Sequence, residues 1–381
     1  MKHLCLHVGL PKTGTSSIQV TLHAHRPVLA AAGITYMPEA MNHSALLVDA
    51  FGVAAEGAAR RRARPRQPGV AEAARRALQR FIAEAPPGKL IISGEAASAL
   101  GPEATRHMLG FLRAEVDRLS VIAFVRPPRS AVPSIAQQRA KHGVTAGKLL
   151  LPAVPNYRAR LEPFLACADL AETILRLYAP GALREGCSVA EFLAACGVPP
   201  EVHARLRVRR VNASMSRAAL VLLLAANAAL PPSDPSRAPR LTALLTGLPG
   251  QPFEVPPAVM DRLVARPHKR AEIAWIEARL GQPFAAFEAP PPERWARDAP
   301  HPADWAERAL ADLDAAEVAA LRKMLTDLPA TAQAAARADA LAWLDGRAAG
   351  VGTAELPALV GLLNAVAQEM PAPARRPGPG A

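Results

Sequence analysis

The stretch HLCLHVGLPKTGTSS, residues 3–17, decides the fold. It opens with an apolar run of strand length, 3–9. Gly9 and Gly14 then bracket a turn, and Ile18 and Leu22 follow at helical spacing. The order is strand, glycine-containing loop, helix. Such a turn aims free backbone N–H groups and the positive end of a helix at one point, a geometry that binds phosphate-like oxyanions. Gly14 lets an oxyanion approach closely, and Thr13, Thr15, Ser16 and Ser17 add hydroxyl donors. A Walker A loop reads GxxxxGK[ST]. Gly9 and Gly14 have that separation, but Thr15 stands where the lysine belongs and Lys12 precedes Gly14 instead. A strand-end aspartate to help hold magnesium is not evident.

Outward from this loop, strand-length apolar runs recur at 89–94, 119–125 and 173–178, separated by helical stretches at 14–25, 43–56, 70–84, 102–116, 128–141 and 159–170. This alternation predicts an α/β fold with a central parallel sheet covered on both faces. After about residue 200 the strand signals fade. The segment 217–230 is apolar all round and predicts a buried helix. Pro-rich breaks at 231–256 and 289–302 precede an Ala/Leu-rich helical stretch. The expected organisation is a nucleotide-binding domain over 1–230, a connecting region over 231–302, a C-terminal helical extension over 303–369 and a disordered tail over 370–381.

The chain has 381 residues and is 50% hydrophobic, which excludes a fully disordered protein. Its longest apolar run, Ala218 to Ala226, falls far short of the roughly 20 residues that cross a bilayer. The N-terminal run leads into Gly, Pro and Lys rather than a cleavage site, so it reads as a strand and not a leader. Four cysteines without CxxC or metal-ligand spacing point to a reduced, cytoplasmic protein and to no metal. The formal charge of +12 favours anionic ligands. Only 4% of residues are aromatic and they are not interleaved with basic ones, which argues against nucleic acid and for small phosphorylated ligands.

PKTGTSS, residues 11–17, resembles the 5′-phosphosulfate loop of sulfotransferases that use 3′-phosphoadenosine-5′-phosphosulfate (PAPS), whose usual form is PK[TS]GT[TS]. The resemblance implies a P-loop-NTPase-like three-layer fold. It places Lys12 beside the bridging oxygen of the sulfate donor and gives Thr13, Gly14, Thr15 and Ser16 the task of cradling the 5′-phosphate. It also calls for an Arg at the end of a later strand and a Ser eight residues on, which together hold the 3′-phosphate. VIAFVRPPRSAVPS supplies Arg126 and Ser134 at that spacing. An Arg fork with a hydroxyl suits a dianionic phosphate. The second proline of VRPPRS departs from the family, which more often has an acidic residue between Arg and Pro. Pro133 either kinks a helix begun near Pro128 or restarts it with Ser134 in a first turn. Arg129 and Ser130 are auxiliary candidates.

Sulfuryl transfer to a hydroxyl needs one cation, here Lys12, and one base. Glu95 ends the run KLIISGE, which is similar to the S[SG]E segment of bacterial and carbohydrate sulfotransferases, where glutamate is a usual base. His43, in MNHSALL, is the alternative, since histidine titrates near neutrality and serves as base in the cytosolic branch. His3, His7, His23 and His25 read as structural or solvated. The arginines at 60, 61, 62, 64 and 66 form a basic run, read as a solvated loop or as an attractor of an anionic glycan or lipid. The segment 208–227 is similar to the Asn-x-Ser segment of bacterial sulfotransferase-like proteins, so Arg209, Arg210 or Asn212 are further donor-side candidates. The RKG-type loop of the cytosolic enzymes is missing. The expected activity is sulfuryl transfer from PAPS to an acceptor hydroxyl, on a carbohydrate or small molecule, with no metal. The alternatives are an ATP-dependent P-loop kinase and a non-catalytic nucleotide-binding module.

Overall fold

The computed structural model describes residues 1–52, 69–151, 153–209, 214–328 and 334–370. In chain order the elements are β1 (Lys2–His7), α1 (Thr15–Ala24), α2 (Arg26–Ala30), β2 (Ile34–Tyr36), α3 (Ser44–Phe51), α4 (Val70–Glu84), β3 (Gly88–Ser93), α5 (Pro102–Ala114), β4 (Arg118–Val125), α6 (Pro128–Lys141), α7 (Tyr157–Leu165) and β5 (Glu172–Leu177). They continue with α8 (Ser188–Ala195), α9 (Pro200–Ala204), α10 (Arg217–Ala229), α11 (Leu241–Thr246), α12 (Pro257–Val264), α13 (Pro267–Leu280), α14 (Pro302–Ala309), β6 (Leu313–Asp314), α15 (Ala315–Thr326), α16 (Ala334–Asp345), β7 (Gly350–Val351) and α17 (Leu356–Glu369).

The chain divides into two compact units. The first is Met1–Pro127, Asn156–Val211 and Ala271–Pro290; the second is Pro128–Pro155, Asn212–Arg270 and Pro291–Ala381. Contacts therefore do not follow the linear division expected at 230 and 302. The stretch 231–302 is no mere connector: it carries α11, α12 and α13, which bury Leu241, Leu245, Val259 and Ile276. Residues 371–381, the greater part of the expected tail, lie outside the described residues.

In the first unit β1 to β5 form one parallel sheet in the order β2-β3-β1-β4-β5. β1 and β4 lie inside it, which explains their near-continuous apolar sequence: Leu119 to Val125 are all buried. Cys5, Ile91, Ile122 and Phe124 pack on one face against Ile18 and Leu22 of α1 and Val189, Phe192 and Leu193 of α8. Their alternates Leu4, Leu6, Ile92 and Val121 point the other way and are just as buried, so both faces are covered. The chain passes from β1 leftward to β2 and β3, then crosses to β4 and β5. The reversal lies between β1 and β4, where open α/β sheets bind ligands at their carboxyl ends.

In the second unit α10 buries Leu220 to Leu224 and packs against α6, α11 and α17. The expected helical extension is thus part of a core, since an all-apolar helix must be covered on every side. No helix among the described residues is long and apolar enough to cross a membrane. Ser216 caps α10: its Oγ accepts from Ala219 N at 3.1 Å and donates to Leu248 O at 2.8 Å. Ser216→Ala is expected to lower unfolding free energy by about 1–2 kcal/mol, read by urea denaturation at an unchanged m-value.

Candidate functional site

The loop after β1 owes its shape to three residues with positive φ: Gly9 at 35°, Lys12 at 67° and Gly14 at 79°. Glycine takes such angles at little cost, whereas a lysine there is strained by of order 1–3 kcal/mol. Thr13 is buried and donates from Oγ1 to Leu10 O at 2.6 Å, which staples the loop. Gly14 is the N-cap of α1; no side chain caps that helix, and its first turn holds no acidic residue. A bare helix N-terminus of this kind favours an anion. Thr15 Oγ1 is buried without a partner at hydrogen-bond distance, and Ser16 is half-buried beside it.

The loop has a strand on each side, because β1 pairs with β4 and with β3. Arg126 follows β4 and donates from Nη1 to the backbone carbonyl of Lys12 at 2.9 Å. The two motifs that the sequence separates by 114 positions thus meet. The guanidinium lies 5.5 Å from the centre of the Tyr178 ring, and the Arg126 carbonyl accepts from Tyr157 Oη at 2.7 Å. Burial pushes the Arg126 pKa down, and Tyr178 and Glu288 push it back up.

Ser134 stands in α6, which belongs to the second unit. That helix starts at Pro128 and runs through Pro133 to Lys141, so it does not restart and Ser134 lies beyond its first turn. Arg129 is paired with Asp261 at 2.5 Å.

Glu95 follows β3 and begins a short 3-10 turn, Glu95–Ala99. Burial raises its pKa, and Lys12, Thr15 and Arg160 act in the opposite direction. A hydrogen-bond chain holds this turn: Arg160 Nη1 donates to Ser98 Oγ at 3.1 Å, and Ser98 Oγ donates to the Glu95 carbonyl at 2.8 Å. His43 is fully buried instead. Its Nδ1 accepts from Ser93 N at 3.0 Å, which puts the proton on Nε2, 3.1 Å from Met37 O. Both nitrogens are engaged, and burial lowers the ring's pKa to about 4.

Four residues at the site escape the sequence motifs. Arg160 is one. His7 is another: packed against Phe124 and Phe192 as a structural residue, it bonds Ser93 Oγ through Nδ1 at 2.9 Å, yet its buried Nε2 has no partner. Burial lowers its pKa to about 3, so the ring is neutral. The others are Tyr178 and Ser188. A Cβ on Gly14 would come within 2.8 Å of Tyr178 Cε2 and 2.7 Å of Ser188 Oγ, so this glycine admits a close contact as well as a turn. Ser188 opens α8, which brings a second helix N-terminus to the loop. Only the strand-end position of His7 was available as a signal.

Arg209 N donates to Thr21 Oγ1 at 3.0 Å. The arginines at 60, 61, 62, 64 and 66, with Arg210 and Asn212, lie outside the described residues. Compared with known proteins, the chain matches no family model, no curated protein and no solved structure.

Two stability measurements probe the site. Lys12→Gly should unfold at higher denaturant than Lys12→Ala, by roughly 1 kcal/mol, because both lose the side chain but only glycine relaxes the backbone. Glu95 has a folded pKa above its unfolded one, so its ionisation opposes folding above the ordinary carboxylate range and has no effect below it. Glu95→Gln should therefore raise Tm near pH 7, with the gain vanishing below about pH 4.

Proposed function

We propose that the chain is a PAPS-dependent sulfotransferase of P-loop-like, three-layer architecture, acting on a hydroxylated carbohydrate or small molecule. The observation that carries this reading is the bond from Arg126 to the Lys12 carbonyl, which joins the phosphosulfate-loop motif to the strand-end arginine of the second motif. The residues present suit the donor. Its 5′-phosphate belongs at the bare N-terminus of α1, where Gly14, Thr13 and Ser16 supply backbone amides and the Thr15 hydroxyl lies between the loop and Glu95. Its 3′-phosphate falls to the Arg126 fork.

The donor supplies an activated sulfuryl group. Glu95 takes the acceptor's proton as the hydroxyl oxygen bonds to sulfur. Lys12 neutralises the charge that grows on the departing 5′-phosphate, leaving a sulfate ester and 3′-phosphoadenosine-5′-phosphate (PAP). The base is Glu95 rather than His43. Glu95 shares its surroundings with Lys12, and desolvation brings its pKa toward the working pH, whereas both nitrogens of His43 are occupied. Activity should fall as pH drops through the raised Glu95 pKa. A reduced, cytoplasmic setting accords with four free cysteines.

The test compares thermal stabilisation by PAP, by AMP and by ATP with magnesium. PAP should stabilise the wild type most. Arg126→Ala should remove the preference for PAP over AMP, Lys12→Ala should weaken both, and Glu95→Gln should bind PAP normally while losing turnover of PAPS. Equal responses to PAP and AMP would eliminate the 3′-phosphate assignment, and a larger response to ATP with magnesium would favour a kinase.

A further inference from the structure

The second unit contains a cavity of about 570 Å³, within the range of small-molecule sites, that the preceding reading does not use. Its walls are apolar: Leu224 and Ala228 of α10, Leu310 after α14 and Leu356 of α17. The main polar feature is Glu307 of α14, a carboxylate with no hydrogen-bond or ion-pair partner among the described residues. Among the described residues it is the only charged side chain that lines the cavity.

The cavity is built in advance of any ligand. Arg139 donates to the carbonyls of Lys148, Leu149 and Leu151 at 2.7, 3.0 and 2.8 Å, which holds one wall as a rigid loop. Asn227, on α10, donates from Nδ2 to Ala140 O at 2.7 Å and Val144 O at 3.1 Å, tying that loop's approach to the opposite wall. Position 147 leaves space for the carboxylate. A Cβ there would collide with Glu307 Oε1, and since Gly147 has no positive φ, glycine serves space here and not backbone angle.

We infer that this cavity binds a small organic amine, its apolar body against Leu224, Ala228, Leu310 and Leu356 and its ammonium group on Glu307. Apolar walls supply the affinity, and a single carboxylate orients the head group. Because Glu307 is solvent-exposed, its ion pair contributes discrimination more than strength.

Three probes that differ only in head group test this: 3-phenylpropylamine, 3-phenylpropanol and 3-phenylpropanoate, with dissociation constants from calorimetry on the full chain. The amine should bind tightest, by roughly two- to fivefold over the alcohol, the size of an exposed ion pair. The carboxylate should bind weakest. This order opposes the chain's positive charge, so non-specific attraction cannot produce it. Glu307→Gln should bring the amine down to the alcohol's affinity. Ala228→Phe, at an exposed position that tolerates bulk, should occupy part of the cavity and weaken binding of all three. No binding of the amine to the wild type, equal affinity for amine and alcohol, or an amine preference that survives in Glu307→Gln overturns the assignment. Undiminished binding in Ala228→Phe assigns the amine to another place and overturns it equally.

Discussion

The hydrogen bond from Arg126 to the backbone carbonyl of Lys12 is the constraint on which the first unit's site depends. It ties the end of β4 to the strained residue of the loop after β1, and it makes its demand on the carbonyl, leaving the lysine side chain's chemistry to be set separately. A lysine at φ 67° persists only where its surroundings over-determine the backbone. Here Arg126 acts on one side, the Thr13 staple on the other, and Gly14 is packed against Tyr178 and Ser188. Strain held in this way keeps a loop in one shape, which preorganised anion binding requires.

Beneath the loop lies a buried polar knot centred on Ser93. Its Oγ joins His7 Nδ1 at 2.9 Å and Gln19 Nε2 at 3.2 Å, while its backbone N–H goes to His43. Desolvation keeps both histidines neutral. A histidine near a phosphate loop invites a catalytic role, but the neutral His43 ring, with both nitrogens hydrogen-bonded, is a brace. The carboxylate of Glu95 is different in kind. Its surroundings mix burial with two nearby cations, Lys12 and Arg160, and that balance suits a group that must both lose and gain a proton.

The second unit follows a different logic. Its core is the all-apolar α10, and the polar groups around it are spent on fixing backbone. Arg217, the first residue of α10, pairs with Asp312 at 2.9 Å and Glu317 at 2.6 Å; Arg139 and Asn227 bond loop carbonyls. Glu307 is set apart from these by its place: among the described residues it alone brings a charge to the apolar cavity.

Sequence alone determined what depends on near neighbours. The four long strands, the helix at 70–84 and the buried helix after Ser216 follow from periodicity, and the turn between β1 and α1 follows from glycine spacing between a strand and a helix. The three-residue β2 was illegible because it is too short to show a period and exists by pairing with β3. Only the tertiary structure decided which distant residues share a site. Arg160 reaches the Glu95 turn, Tyr178 and Ser188 close on Gly14, and His43 is consumed by Ser93 and Met37. The physical reason is that such contacts depend on strand order and on which faces the helices cover. Those are settled by the summed burial of the whole core, and no local pattern of residues encodes them.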